Sequence, residues 1–344
     1  MSLIISIILL VIGFVLLIKG ADVFVDGASN VAYHYKISTL VVGLTIVAFG
    51  TSAPEAAVSI TSSFAGSNAI SLGNVVGSNI FNILCVVGIS ALIGKLSVEQ
   101  DLIDRDFPFT VISSIGLLLI AYFLGKISRL VGAIFLIVLF IYIYHMIKKS
   151  KEHAESVGEE VGEARLSIPK AAAYIVIGIA GVIIGSNFVV DGASDIASFF
   201  GLSDALIGLT VVAIGTSLPE LVTSITALKK GENGMVIGNV LGSCIFNILF
   251  ILGISSVIIP MPIDPEMIAD IAFMTAITIL GAIFAKSQKE VDKKELKKAF
   301  AILADCVDYI DGGECKNSLI ELEDGTKVEY CDLLEGLENF IKKF

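Results

Sequence analysis

The chain has 344 residues, of which 55% are hydrophobic and only 17% charged, and its mean hydropathy is +0.89. That balance excludes a soluble domain of this size, and the absence of Trp and of alternating strands excludes an outer-membrane barrel. The net charge of −11 reflects an acidic C-terminal stretch, so no nucleic-acid partner is expected, and the five cysteines have no CxxC spacing that would indicate zinc or a disulfide scaffold.

Apolar runs long enough to cross a bilayer, about 20 residues each, recur in chain order over Leu3–Phe24, Leu40–Phe64, Ile70–Ile93, Phe107–Leu124 and Leu130–Met146. The first run lacks a basic leader and a cleavage site, so it reads as a spanning helix and not a signal peptide. A polar linker follows over 148–167, and four further runs cover Ala171–Val190, Leu206–Leu228, Met235–Ile259 and Met267–Ala285. These predict a first unit over 1–147 with five spans, a second over 168–286 with four, and a soluble acidic tail over 287–344. In the tail, a helix is compatible with Lys293–Leu303, a hairpin with a turn at Asp324–Gly325, and a short amphipathic end with Leu333–Phe344.

The two units are copies. At an offset of 165, Gly20–Ile93 aligns without a gap on Gly185–Ile258, and about half the positions are identical. The best blocks are VDGAS (Val25–Ser29, Val190–Ser194), GTSxPE (Gly50–Glu55, Gly215–Glu220) and GNVxGSxIFNIL (Gly73–Leu84, Gly238–Leu249). An odd number of spans before the restart inverts the second copy, a plan of secondary transporters in which substrate is held where the copies meet. Lys and Arg favour an N-terminus outside. Lys36, Lys95, Arg105, Lys148, Lys149, Lys151, Arg165, Lys170, Lys229 and Lys230 then fall on the cytoplasmic side of a cell (inner or plasma) membrane, with the tail.

Glu55 and Glu220 are repeat-equivalent carboxylates inside apolar segments. An ionised group at that depth costs several kcal/mol unless it is paired or holds a cation, so both are candidate substrate ligands. Each follows Gly-Thr-Ser-x-Pro, which predicts a helix break at Gly50–Pro54 and Gly215–Pro219. The break exposes carbonyls such as those of Ala48 and Ala213 beside the hydroxyls of Thr51, Ser52, Thr216 and Ser217. In the next block Gly73, Gly77, Gly238 and Gly242 form a small-residue face. Ser78 with Asn82, and Ser243 with Asn247, are i and i+4 pairs on one helix face. An all-oxygen set without Cys or His suits Ca²⁺ or Na⁺, not zinc or copper.

With these motifs the sequence resembles the cation/calcium exchanger superfamily, specifically its sodium/calcium exchanger branch of prokaryotic type. GTSAPE with GNVVGSNIFN and GTSLPE with GNVLGSCIFN look like its two alpha-repeats. The resemblance implies an all-α, ten-helix, inverted-repeat fold and Ca²⁺ exchange for Na⁺ by alternating access at a midplane site. No enzyme activity and no cofactor go with it. The first helix of each half would slide past a fixed core. Glu55 and Glu220 would be the central Ca²⁺ ligands; Ala48, Thr51, Ser52, Ser78 and Asn82, with Ala213, Thr216, Ser217, Ser243 and Asn247, would complete the calcium and sodium sites. The chain departs from the family in two ways. Both Asn82 and Asn247 are Asn where some members carry Asp, and after Ala285 no tenth apolar run follows. Three alternatives stand beside this reading: a proton/calcium exchanger using the same glutamates, a calcium-binding membrane sensor that does not transport, and an intramembrane hydrolase with a carboxylate dyad. Oligomeric state, stoichiometry and selectivity among Ca²⁺, Mn²⁺, Cd²⁺ and K⁺ are left open.

Overall fold

A computed structural model describes residues 3–157, 164–201 and 213–288, together with short strands at 290–291, 319–321 and 327–329. The chain order is α1 (Leu3–Tyr35), α2 (Thr39–Thr51), α3 (Ala53–Phe64), α4 (Asn68–Ile93), β1 (Leu96–Ser97), α5 (Leu102–Leu124), β2 (Lys126–Ile127) and α6 (Arg129–Val157). Then come α7 (Ile168–Phe199), α8 (Ala213–Thr216), α9 (Leu218–Lys229), α10 (Asn233–Ile258), β3 (Met261–Pro262), α11 (Pro265–Gln288), β4 (Glu290–Val291), β5 (Leu319–Glu321) and β6 (Lys327–Glu329). Seven of these helices are long and apolar enough to cross a membrane, and the pair α2–α3, bent by 49°, makes an eighth. Nine spans were expected; the segment Leu206–Leu228 is described only from Ala213 onward. The tail's β5 and β6 pair antiparallel, while the expected turn at 324–325 and the stretches 293–303 and 333–344 lie outside the described residues.

α1 and α7 run to 33 and 32 residues, longer than the apolar cores of Leu3–Phe24 and Ala171–Val190. They pack antiparallel along glycines spaced by seven: a Cβ on Gly13, Gly20 or Gly27 would meet the backbone of Val189, Val182 or Ala171 at 2.6–2.8 Å. Gly178, Gly185 and Gly192, their repeat equivalents, close on Phe24, Leu17 and Ser6 in the same way. Seven residues are two helical turns, so the glycines align on one face and let the backbones touch. The ends are tied too. Asn30 Oδ1 accepts the N–H groups of Arg165 and Leu166 at 2.7 and 2.8 Å, and Ser6 Oγ donates to Asp195, the repeat equivalent of Asn30, at 3.1 Å.

An antiparallel contact between equivalent helices means the two copies are inverted. α5 and α11, also equivalent, pack together, with Thr275 Oγ1, which donates to the Ile271 carbonyl of its own helix at 2.8 Å, lying 3.4 Å from the Ser114 carbonyl. Two small ribbons repeat the relation: β2 pairs with β3, and β4 pairs with β1, so each half clasps the other's strand. α6 lies over the end of α10, with Gly132 against Ser256 and Gly253. Gly238 and Gly242 bring α10 close against α2, where a Cβ on either would sit 2.6 Å from the carbonyl of Leu40 or Leu44, as the small-residue face predicts. Gly73 and Gly77 meet nothing among the described residues, because their mirror partners, 205–213, lie largely outside them.

Candidate cation site

The breaks fall where the motifs place them. α2 ends at Thr51 and α3 starts at Ala53, with Ser52 at φ −83°, ψ 7°; α8 ends at Thr216 and α9 starts at Leu218, with Ser217 at φ −93°, ψ 3°. The freed carbonyls differ in part from expectation. Ala48 O accepts the Ser52 N–H at 3.0 Å, and the Thr51 hydroxyl, 3.4 Å away, has a nearer acceptor in Asn239 Oδ1 at 3.1 Å, so Ala48 O has one lone pair to offer a cation, not two. A proline strips the donor from the carbonyl four residues earlier, which here is Gly50 or Gly215. Ser186 of α7 donates to Gly215 O at 2.7 Å, whereas Ala21, its equivalent on α1, has no hydroxyl to offer Gly50.

Both carboxylates are fully buried, Glu55 at 0% and Glu220 at 1% exposure, and they stand close enough to feel each other's charge. Each is held by the serine of the other repeat. Ser52 Oγ donates to Glu220 Oε1 at 2.9 Å, and Ser217 Oγ donates to Glu55 Oε1 at 3.4 Å and lies 3.4 Å from Ser78 Oγ. The second oxygen of each carboxyl, Oε2, has no hydrogen-bond partner among the described residues; nor do either amide atom of Asn82 or the Oδ1 of Asn247. Thr51 and Ser243 lie beside Glu220, and Ser78 beside Glu55. Wide π-turns start at Asn82 and at Asn247, a local departure from α geometry that often marks functional sites. Buried oxygens left unpaired around two carboxylates are the signature of a cage for a hard cation. Ala213 and Thr216 sit on α8, next to the break that carries Ser217.

Several residues that complete the cage are absent from the sequence-derived set. Asn74 Nδ2 donates to the Glu55 carbonyl at 3.2 Å and to Ser59 Oγ at 3.0 Å; Asn239 Nδ2 does the same to Glu220 O at 3.3 Å and Ser224 Oγ at 3.0 Å. Thr51 Oγ1 donates to Asn239 Oδ1 at 3.1 Å, which ties the first repeat's break to the second repeat's helix. Asn79 accepts from Asn247. The signal that could have found Asn74 and Asn239 was their presence in both copies of GNV.

Inverted helical repeats, a tightly paired first helix from each half and an oxygen cage at two broken helices define a secondary transporter of cations. A family model described as "Sodium/calcium exchanger protein" matches residues 5–148 and 170–303, and the chain belongs to that family. It is 42% identical over 264 residues to a putative antiporter, CaxA, of Alkalimonas amylolytica, covering 75% of this chain and 82% of that one. It is 30% identical over 332 residues to the sodium/calcium exchanger MaX1 of Methanosarcina acetivorans, covering 85% and 94%. The solved structure of the sodium-calcium exchanger NCX_Mj, soaked with zero Na⁺ and Ca²⁺, superposes with a TM-score of 0.78 at 31% identity, covering 90% of this chain and 100% of that one. The protein is therefore a multi-pass membrane exchanger of Ca²⁺ and other cations.

Proposed function

We propose that the chain exchanges Ca²⁺ for Na⁺, with Glu55 and Glu220 as shared central ligands. Around them Ala48, Thr51, Ser52, Ser78, Asn82, Ala213, Thr216, Ser217, Ser243 and Asn247 supply the neutral oxygens. The observation that carries this reading is the pair of buried, repeat-equivalent carboxylates, each with Oε1 held by the opposite repeat and Oε2 unpaired. A cation drawn to both Oε2 atoms would bridge the halves and cancel the repulsion between the glutamates. Ca²⁺ and Na⁺ compete for those same oxygens, so occupancy by one excludes the other, and that competition couples their movements.

Access alternates as the α1–α7 pair shifts against α2–α5 and α8–α11. Its glycine contacts and tied ends make it one body. The N-terminus lies outside and the α9–α10 turn, with Lys229 and Lys230, faces the cytoplasm. The test is radiolabelled Ca²⁺ uptake into proteoliposomes loaded with Na⁺, with choline, or with choline and an acid interior. Uptake driven by sodium alone is expected. Uptake driven only by the proton gradient would replace this reading with a proton/calcium exchanger, and none under any condition would favour the sensor.

A further inference from the structure

Asn79 and Cys244 are repeat equivalents, and they meet where the two halves cross. Asn79 Nδ2 donates to the Cys244 carbonyl at 3.3 Å, and the Cys244 sulfur lies 4.0 Å from the Asn79 carbonyl. A backbone carbonyl can only accept, so the nitrogen end of the Asn79 amide is fixed there, and its oxygen end is fixed by exclusion. Asn247 Nδ2 donates to that Oδ1 at 3.0 Å. The Asn247 amide is fixed in turn. Its Oδ1, buried and without a partner among the described residues, is the end left for a cation. Ser243, one turn earlier on the same face, stands beside Glu220.

Symmetry breaks at the mirror position. Asn82 corresponds to Asn247, and the residue that corresponds to Asn79 is Cys244, whose thiol is only a weak acceptor. Both Asn82 Nδ2 and Asn82 Oδ1 are unpartnered among the described residues. We infer that Asn79 is a positioning residue that commits the Asn247 oxygen to the cation, while Asn82, for which the repeat supplies a cysteine in place of that clamp, is not committed, so the two halves offer unequal ligands. This rests on the proposed assignment of Asn247 to the cation site. An amide that turns its NH₂ toward a cation replaces an attractive dipole with a repulsive one, so orientation decides whether the residue binds at all.

The test is a cycle of Ca²⁺ transport kinetics on the full chain in proteoliposomes. Asn79→Cys is expected to raise KM for Ca²⁺ about tenfold, with kcat within about twofold. In an Asn247→Asp background the same substitution is expected to change KM less than about twofold, because a carboxylate presents oxygen in either orientation. An equal rise in both backgrounds would mark a packing role and overturn the inference, as would no rise in the parent. Cys244→Asn supplies the missing clamp and is expected to lower KM for Ca²⁺ a few-fold; an unchanged KM would refute the idea that Asn82 is loose, even if Asn79→Cys does not fold. Asn247→Ala separates the two levels. If it leaves KM unchanged, Asn247 is not a ligand and the site assignment fails; if it raises KM while Asn79→Cys does not, only the positioning role fails.

Discussion

Replacing either glutamate by glutamine keeps an oxygen for the opposing serine but removes the charge a cation needs. Glu55→Gln and Glu220→Gln are each expected to abolish Ca²⁺ exchange while leaving a folded protein, because losing one of two neighbouring buried charges relieves repulsion instead of creating it. Thermal unfolding with and without chelator reads the same chemistry without transport. Ca²⁺ at about 100 times its Kd would stabilise the parent by about 2.7 kcal/mol, and chelator would remove that gain, while neither variant should respond. Ca²⁺ stabilisation equal to the parent's in both variants would rule the glutamates out as ligands. These two residues were legible in the sequence because a carboxylate in an apolar helix has to be explained and because it occurs twice. Asn74 and Asn239 were not, although they occur twice as well, since their partners are backbone carbonyls and a helix in another part of the chain. The carbonyl assignment was half legible. Proline announces a freed acceptor four residues back, at Gly50 and Gly215, and the hydrogen bond that re-satisfies one of them comes from Ser186, which no local pattern connects to it.

Between elements, the tightest contact is α1 on α7. At Gly20 a Cβ would sit 2.6 Å from the Val182 nitrogen, and at Gly178 it would sit 2.5 Å from the Phe24 nitrogen; backbone at that distance cannot yield. Gly20→Val and Gly178→Val are each expected to cost about 1–3 kcal/mol of stability or more and to stop exchange, checked by thermal unfolding and Ca²⁺ uptake. If α1 and α7 moved independently, exchange would survive in a variant that still folds. The seven-residue glycine spacing is present in the sequence of both copies, but it acquires meaning only once the two helices are known to be antiparallel. A second contact is one-sided. Lys230, in the turn between α9 and α10, reaches the side chain of Asp22 at 2.8 Å and its carbonyl at 2.9 Å, bonds Asp26, and is followed by Glu232, which accepts from Tyr33. The mirror turn holds Ala65 and Ser67 at those positions and has no such grip among the described residues. Any shift of α1 against the core must release this contact on one side of the membrane only. Lys230→Ala is expected to move the balance between inward- and outward-open forms by up to about fivefold, the worth of a half-exposed ion pair, read as faster hydrogen exchange at the end of α1. Burial lowers the Lys230 pKa, but its bonds to Asp22 and Asp26 raise it by more, so it is held above the ordinary lysine value. Lys230 therefore keeps its charge for the grip at and below about pH 10.4 and loses it as pH rises through the elevated value.

At the scale of the whole molecule, the inverted plan was legible from one offset, and its completeness was not. Two-residue strands have no periodicity to read, so nothing announced that β4, at the far end of the second half, would return to β1 as β2 does to β3. The same symmetry sets the charge count of the exchange. With Asn at both 82 and 247, the proposed site holds two buried carboxylates; as ligands they would neutralise one Ca²⁺ or two Na⁺, whereas a third Na⁺ would bring an uncompensated charge into a buried site. Exchange of one Ca²⁺ for two Na⁺ carries no net charge. An imposed potential of 100 mV acts on one net charge with about 2.3 kcal/mol, enough to shift the Ca²⁺ gradient at equilibrium about 50-fold for a three-for-one exchange and not at all for a two-for-one exchange. Potassium-diffusion potentials across the proteoliposome membrane are accordingly expected to leave the equilibrium Ca²⁺ ratio unchanged, and a shift near 50-fold would refute the two-charge count. Asn247→Asp supplies the converse. It adds a third carboxylate where the parent has an oriented amide, so a third Na⁺ can be neutralised and the equilibrium should become sensitive to potential, provided that the site and not the surrounding fold determines how many charges cross.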